Sequence, residues 1–392
     1  MKRILSMVLI VVLLTTGCSF IGQKDKSDDE PIIPVAMDTT GSKDIQTNAA
    51  AASISGAGVN SETAGNSTVS SSAVSDNNED ISDNALIDNG TGKGVTANSS
   101  DKNSILMTLY YRDKDGLLIP VTRNVTKQEG MAKAAVSGLV DEAVTREQLD
   151  YYGLYPVLPQ GTKIKGMTIK NGSAVIDFSK EFMELANKQD EVLAVTAIVY
   201  TLTGFKTISD VSIRVEGRNI NTLNNGTDIS GVKSRDNTFI NSNEAQLKDG
   251  FIKCDLYYMT AGNEQYNYMV PVSTLVQKVE DSQLPTALFA ELGKKPGDNK
   301  VFTSIPEGTK LLSYNMENDL AVLDFSAQLT NYNGGSEKEN TLINQIYYTL
   351  SQLKGIAKAK ILVDGKETTL PEGSEVAIFK TLPTTFNNVV DK

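Results

Sequence analysis

The sequence predicts an α+β protein in which a small ββαββαβ sandwich occurs twice in tandem. The main observation is an internal repeat. The run Val157-Leu-Pro-Gln-Gly-Thr-Lys-Ile, which continues to Ala174-Val-Ile-Asp-Phe-Ser179, returns 147 residues later as Ser304-Ile-Pro-Glu-Gly-Thr-Lys-Leu and Ala321-Val-Leu-Asp-Phe-Ser326. Each copy also alternates short β-rich runs with apolar helical stretches, and this pattern is typical of helices packed on an antiparallel sheet.

Five strands and two helices are expected in the first copy. The Asn-Gly pair at 171–172 is the strongest short-range hairpin signal in the chain, and residues 113–116 form a second turn signal. Apolar residues at helical spacing mark the helices. The predicted strands are 105–111, 117–122, 163–169, 173–178 and 211–216, and the predicted helices are 128–140 and 191–203.

The second copy keeps this order. Its strands are predicted at 251–259, 310–316 and 320–325, with a turn at 317–318 and a helix at 284–292. Ser336 and Glu339 have capping-box spacing, which predicts the start of the second helix. In both copies the two helices are expected on one sheet face.

The composition excludes several kinds of function. The formal net charge is -11, with 48 acidic and 37 basic residues. Nucleic-acid binding is therefore not expected, because phosphate contacts need clustered Lys and Arg. The chain has no histidine, which removes Ser-His-Asp and Cys-His catalysis and histidine metal ligands. We expect neither a metal nor another cofactor.

The N-terminal segment resembles a bacterial lipoprotein signal. Lys2 and Arg3 precede an apolar run that ends in Leu-Thr-Thr-Gly-Cys at Cys18. The run is shorter than the roughly 20 residues of a transmembrane helix and fits a signal peptide. Cys18 is the expected site of lipid attachment, so Cys254 is left without a disulfide partner within the chain.

Composition and the repeat together predict the domain boundaries. Residues 19–100 are acidic and rich in Ser, Asn and Gly, which favours a disordered tether. The expected division is a signal peptide at 1–18, the tether at 19–100, domain 1 at 101–232, a linker at 233–247, domain 2 at 248–378 and a tail at 379–392.

Two carboxylates and two turns are candidate sites. Asp177 and Asp324 occupy the same place at a strand end in each copy. A duplicated position is better explained by folding, with the carboxylate bonding N–H groups of the following turn, than by one paired-carboxylate site. Residues 159–161 and 306–308, each with Pro first and Gly last, are interpreted as tight turns rather than ligand loops. No catalytic residue is predicted.

One cysteine and three tyrosines complete the candidates. Cys254 lies inside a predicted strand and is expected to be a buried, unreactive thiol. Tyr151, Tyr152 and Tyr155 fall in a connection that the second copy shortens. They fit either core packing or a contact surface for a partner of the first domain.

Four motifs recur in both copies. They are the Pro-x-Gly-Thr turn, the Ala-Val-x-Asp-Phe-Ser strand, Tyr200-Thr-Leu202 with Tyr348-Thr-Leu350, and Ile213-Arg-Val-Glu-Gly-Arg218 with Ile361-Leu-Val-Asp-Gly-Lys366. These motifs resemble the GerMN domain family of spore-forming bacteria. The resemblance implies a fold similar to the ring-building domains of the sporulation channel, a place on the outer face of the cell membrane, and a non-catalytic role in sporulation or germination.

Three hypotheses follow. The first is a lipid-anchored assembly scaffold with protein partners in a sporulation envelope complex, and either a monomer or a homo-oligomer fits this role. The second is an envelope lipoprotein that binds peptidoglycan fragments or another small ligand. The third, an enzyme, would need a carboxylate-only or metal-carboxylate site, and the sequence shows no convergent cluster of such residues. The first hypothesis is favoured.

Overall fold

Two repeats of one α+β unit form the part of the chain that the structure describes. The computed structural model describes residues 104–261, 266–294, 296–297 and 299–388. The signal peptide expected at 1–18, the lipid site expected at Cys18 and the tether expected at 19–100 lie outside the described residues.

The first repeat follows the predicted order with additions. Its elements are β1 (Ser104–Asp113), β2 (Leu118–Thr126), α1 (Met131–Ser137), α2 (Ala143–Asp150), β3 (Leu154–Tyr155), β4 (Ile164–Lys170), β5 (Ser173–Phe178), α3 (Lys188–Leu202), β6 (Asp210–Val215), β7 (Arg218–Asn219) and β8 (Lys233–Ser234).

The second repeat is a shorter version of the first. Its elements are β9 (Phe251–Ala261), β10 (Asn267–Gln277), α4 (Leu284–Leu292), β11 (Leu311–Glu317), β12 (Leu320–Phe325), α5 (Gly335–Ser351), β13 (Lys358–Val363) and β14 (Lys380–Thr381). Within the described ranges no helix is long and apolar enough to span a bilayer.

Each repeat contains two sheets, which the sequence prediction did not distinguish. In the first repeat β1 pairs with β2 and β3, whereas β4 to β8 form a separate sheet. Helix α3 connects β5 to β6, which pair in parallel, and it packs against β1 as well as β6. The second repeat likewise has two sheets, β9–β10 and β11–β14, and its helix α5 packs against β9. In the first repeat, α3 is therefore shared between two sheets.

Strand β5 shows why the sequence pattern predicted the strands. Ala174, Ile176 and Phe178 are fully buried, while the residues between them face outward and are partly exposed. This alternation is the period-two signal of a strand with one core face. The turn before it uses Asn171 and Gly172, with φ of 50° and 83°, which suits a tight two-residue hairpin.

Three local predictions needed correction. Helix α1 is shorter than the predicted 128–140, because Gly130 is left-handed (φ 74°) immediately before it and Gly138 follows its last residue. Helix α2 was missed because it buries only Leu149 and so carries little apolar periodicity. The turn expected at 317–318 lies one residue later, since β11 extends to Glu317 and Asn318 has φ 56°.

The capping box predicted for α5 does not form. The residue before the helix is Gly334, with φ 138° and no side-chain cap. Glu339 instead has a fully buried side chain directed at a distant loop.

Side chains of α5 cover the free edge of β9. Gln345 donates to the carbonyl of Tyr257 at 3.0 Å, and the Tyr257 N–H donates to Thr349 at 3.2 Å. One turn further on, Gln352 accepts the Asp255 N–H at 2.8 Å. Spacings of three and four residues place these groups on one helix face. They explain the buried polar residues of α5 and close an edge that would otherwise be open to pairing.

The linker and the tail are parts of the fold. The expected linker at 233–247 begins with β8, which pairs with β6, and the expected tail at 379–392 contains β14, which pairs with β13. Further along each segment an asparagine, Asn241 or Asn387, bonds to both repeats. The structure therefore shows a docked pair of repeats held partly by these two segments.

Candidate functional site: the repeated turns and the inter-repeat interface

Asp177 and Asp324 hold equivalent turns. Asp177 Oδ1 accepts the Gly217 N–H at 2.8 Å, and Asp324 Oδ1 accepts the Gly365 N–H at 2.8 Å. Both glycines have φ near 73°, so each aspartate stabilises a turn with left-handed backbone. The folding interpretation fits this geometry, with one correction. The turn follows the neighbouring parallel strand rather than the aspartate's own strand, because β5 and β6 end side by side.

Replacing Asp177 or Asp324 with alanine is expected to lower the free energy of unfolding by about 1 kcal/mol, the usual contribution of one hydrogen bond. The two losses in stability should be similar, because the two bonds have the same length and each is made to a glycine N–H. Urea denaturation of the single variants measures them. A loss confined to one copy would contradict the equivalence of the turns.

Glu191 and Glu339 are buried carboxylates that sequence reasoning missed. Glu191 accepts the N–H groups of Asn225 at 2.6 Å and Thr227 at 3.0 Å. Glu339 accepts those of Glu372 at 2.7 Å and Ser374 at 2.9 Å. Each carboxylate thus fastens the loop after the last strand of its repeat to the long helix.

The electrostatics of these glutamates follow from the same bonds. Burial acts to raise the pKa of Glu191, but the N–H groups of Asn225 and Thr227 outweigh it, and the pKa lies below its ordinary value. Glu339 shows the same balance, with burial opposed by Ser374, Tyr332 and Glu372. Both side chains are therefore held ionised inside the protein. The sequence did contain a signal for these contacts. Glu191 precedes the loop Gly226-Thr-Asp-Ile229 by nearly the same number of residues as Glu339 precedes the similar loop Gly373-Ser-Glu-Val376.

The two Pro-Gly segments form turns. Thr162 N–H donates to the Pro159 carbonyl at 3.2 Å, and Thr309 N–H donates to the Pro306 carbonyl at 3.1 Å. Gly161 and Gly308 have φ of 77° and 81°, a conformation that favours glycine. Their role in the structure is to reverse the chain before β4 and β11.

Cys254 lies in β9 with 7% of its surface exposed. Burial raises the pKa of its thiol to about 11, so the thiolate is scarce at neutral pH. We expect a thiol reagent to label Cys254 slowly in the folded protein and rapidly in denaturant, as followed by absorbance or mass spectrometry. Equal labelling rates in the two states would contradict the burial of this side chain.

The tyrosines of the first-repeat insertion contact the second repeat. The rings of Tyr151 and Tyr152 lie 5.7 and 5.3 Å from the ring of Tyr266. Tyr268 donates its hydroxyl to the Tyr152 carbonyl at 2.6 Å. Tyr155 lies apart from this group, in β3 beside Arg112, and is 41% exposed. The insertion therefore contributes an aromatic contact between the repeats.

A polar cluster joins the repeats near Asp255. Tyr200 of α3 donates its hydroxyl to Asp255 Oδ2 at 2.8 Å. Lys253 and Ser273 each donate to Asp255 Oδ1 at 2.8 Å. The guanidinium of Arg235 stacks on the Tyr200 ring at 4.7 Å. The Lys253 and Asp255 side chains are 3% and 11% exposed, so this is a desolvated ion pair with a hydroxyl partner from each repeat.

The sites that the sequence singled out do not converge. Asp177 and Asp324 act in separate repeats, and Cys254 has its own buried position in β9. Among the residues that the structure describes, no group of three or more Cys, Asp or Glu side chains is placed to hold a metal ion. The contacts of these residues instead support turns, loops and the inter-repeat interface.

Comparisons with known proteins agree with the repeat. The family model for sporulation and spore germination (Germane) matches residues 108–221 and 255–369. The spore germination protein GerM of Bacillus subtilis is 31% identical over 295 residues, which cover 72% of this chain and 78% of that protein. The structure of the tandem GerMN domains of the sporulation protein GerM from Bacillus subtilis superposes with a TM-score of 0.62 at 29% identity, covering 72% of this chain and 99% of that one. The chain therefore belongs to the sporulation and spore germination family, with two GerMN domains in tandem.

Proposed function

We propose that this protein is a lipid-anchored, non-catalytic assembly component of the sporulation or germination machinery. In this proposal Cys18 carries the lipid, and the two repeats lie at the outer face of the cell membrane. The partners are other proteins of an envelope complex, and no nucleic acid is involved. Membership of the sporulation and spore germination family supports the process.

The observation that supports a non-catalytic role is that the acidic residues repeated in both copies bond to backbone N–H groups. Asp177, Asp324, Glu191 and Glu339 each accept backbone N–H groups of their own repeat. A carboxylate whose oxygens stabilise a turn is poorly placed to exchange protons with a substrate. These four acidic positions, which recur in both copies, are thus used for folding, which suits a protein that works by presenting surfaces.

Complementation of a deletion strain tests this role. Spore yield should be restored by the wild-type gene and by Asp177→Ala or Asp324→Ala, provided that immunoblots show normal protein levels. Cys18→Ser should fail to restore it and should lose incorporation of labelled palmitate. A folded, normally abundant aspartate variant without activity would argue for catalysis, and full activity of Cys18→Ser would argue against the anchor.

A further inference from the structure

The last described segment of the chain bonds to the first repeat. We call Phe386 and Asn387 the tail clasp. The Phe386 carbonyl accepts the Thr122 N–H at 2.7 Å, and the Phe386 N–H donates to Thr122 Oγ1 at 2.7 Å. The Asn387 side chain accepts the Met269 N–H at 2.9 Å and donates at 2.8 Å to the carbonyls of both Met269 and Pro120. The tail clasp therefore joins β2 to β10.

The linker makes the same set of bonds with the repeats exchanged. We call Ile240 and Asn241 the linker clasp. The Ile240 carbonyl accepts the Ser273 N–H at 2.9 Å, and the Ile240 N–H donates to Ser273 Oγ at 2.9 Å. The Asn241 side chain accepts the Leu118 N–H at 2.7 Å and donates to the carbonyls of Leu118 at 2.8 Å and Pro271 at 2.9 Å.

The two clasps are related by a local pseudo-twofold exchange of the repeats. In each, the backbone bonds to a hydroxyl residue, the asparagine bonds both backbone groups of a second residue, and its amide also bonds a proline carbonyl. The equivalent strand positions are Leu118 and Met269, Pro120 and Pro271, and Thr122 and Ser273, all separated by 151 residues. An interface that maps onto itself when its two sides are exchanged has the form of a twofold, isologous dimer contact.

Proline explains why the strands need the clasps. Pro120 and Pro271 have no N–H, so the facing edges of β2 and β10 cannot form a continuous ladder there. The amide of each asparagine instead donates to the proline carbonyl of one strand and to a carbonyl of the other strand. Asn241 and Asn387 also have φ of 50° and 39°, a left-handed conformation that asparagine tolerates better than most residues. The hydrogen bonds of the clasps therefore connect the edges of β2 and β10.

We propose that the facing edges of β2 and β10, with their clasps, are an interaction surface that also fits a second copy of this chain. In the resulting dimer, repeat 1 of each copy pairs with repeat 2 of the other, and the bonds of both clasps form again between the copies. Such an exchange needs no new contact. It goes beyond a general scaffold role, because it names the partner and the surface.

Residues 242–250, the hinge, decide between the two pairings. They contain no helix or strand and are mostly exposed. Ile240 lies beside Ser273 and Phe251 lies opposite Gln277, positions four residues apart and therefore about 13 Å apart along β10. The natural hinge spans this easily. A chain in which Asn241 is joined to Gly250 has only about 11 Å of reach between Ile240 and Phe251, so it cannot close on itself.

The test is deletion of residues 242–249 in the otherwise full chain, with light scattering after gel filtration as the readout. We expect a dimer of twice the mass. The matched control replaces the same eight residues with Gly and Ser at equal length and should remain a monomer. The deletion combined with Asn241→Ala and Asn387→Ala should lose most of the dimer, because both clasps are removed.

Several outcomes would overturn the proposal. A folded, monomeric deletion variant would show that the surface does not accept a second copy. A dimer that survives both asparagine substitutions would use another surface. Should the deletion variant not fold, mixtures of two differently tagged wild-type chains, refolded together at high concentration, must yield mixed dimers that Asn387→Ala depletes, and their absence would equally overturn it.

Discussion

Replacing Asp255 with alanine is expected to lower the free energy of unfolding by about 3–5 kcal/mol, the usual cost of removing one partner of a buried ion pair. The substitution leaves the ammonium of Lys253, which is 3% exposed, without its carboxylate. It also removes the acceptor of the Tyr200 and Ser273 hydroxyls. Urea denaturation followed by circular dichroism measures the loss.

The repeat itself supplies the matched control for this substitution. Leu106 and Thr108 occupy the positions in β1 that correspond to Lys253 and Asp255. The double variant Lys253→Leu with Asp255→Thr removes both charges together, so it should lose less stability than Asp255→Ala alone. Asp236→Ala, at an exposed position, should change stability by less than about 0.5 kcal/mol. An Asp255→Ala variant as stable as the wild type would contradict the role of the cluster.

Replacing Glu191 or Glu339 with alanine is expected to cost about 3 kcal/mol in each case, because two loop N–H groups lose a charged acceptor in the protein interior. The loops 225–227 and 372–374 should then exchange their amide hydrogens faster, while the strands β5 and β12 keep their protection. Hydrogen exchange followed by mass spectrometry resolves the two loops. Unchanged loop protection would contradict the anchoring role of the glutamates.

The same glutamates predict an acid dependence of stability. Their folded-state pKa lies below the ordinary value, so their stabilisation is fully present above the unfolded-state pKa of about 4.3. It is lost as pH falls from there through the folded-state pKa, because the folded state must then take up protons that the unfolded state already holds.

Glutamine variants isolate this effect. Glu191→Gln and Glu339→Gln keep the side-chain shape and remove the titration, so they should be less stable at neutral pH and less sensitive to acid. Glu184→Gln, at an exposed position, serves as the control. An unchanged acid profile in both glutamine variants would show that other groups govern the acid transition.

Local patterns predicted the elements with clear periodicity. The bounds of β5, α4 and β12 agree with the sequence prediction residue for residue. Each of these carries its core face in alternating or helical spacing, so the signal is contained within a single element. Helix α2 lacks such a face, because Leu149 is its single buried residue.

Contacts between residues far apart in the sequence could not be predicted, because their signal is not contained within a single element. Nothing local distinguishes Glu339 as a helix cap from Glu339 as an acceptor for Ser374, 35 residues away. The split into two sheets likewise depends on where α3 packs. The clasps did leave a trace, since Thr238-Phe-Ile-Asn241 and Thr384-Thr-Phe-Asn387 are similar. The repeating unit therefore extends into the linker and the tail.

The position of the protein in sporulating cells tests the proposed role most directly. A fluorescent fusion of the full chain should concentrate at the boundary between mother cell and forespore, and deletion of the gene should prevent spore formation. A uniform membrane signal together with normal sporulation would contradict the assembly role. It would favour instead a general envelope lipoprotein that binds a ligand.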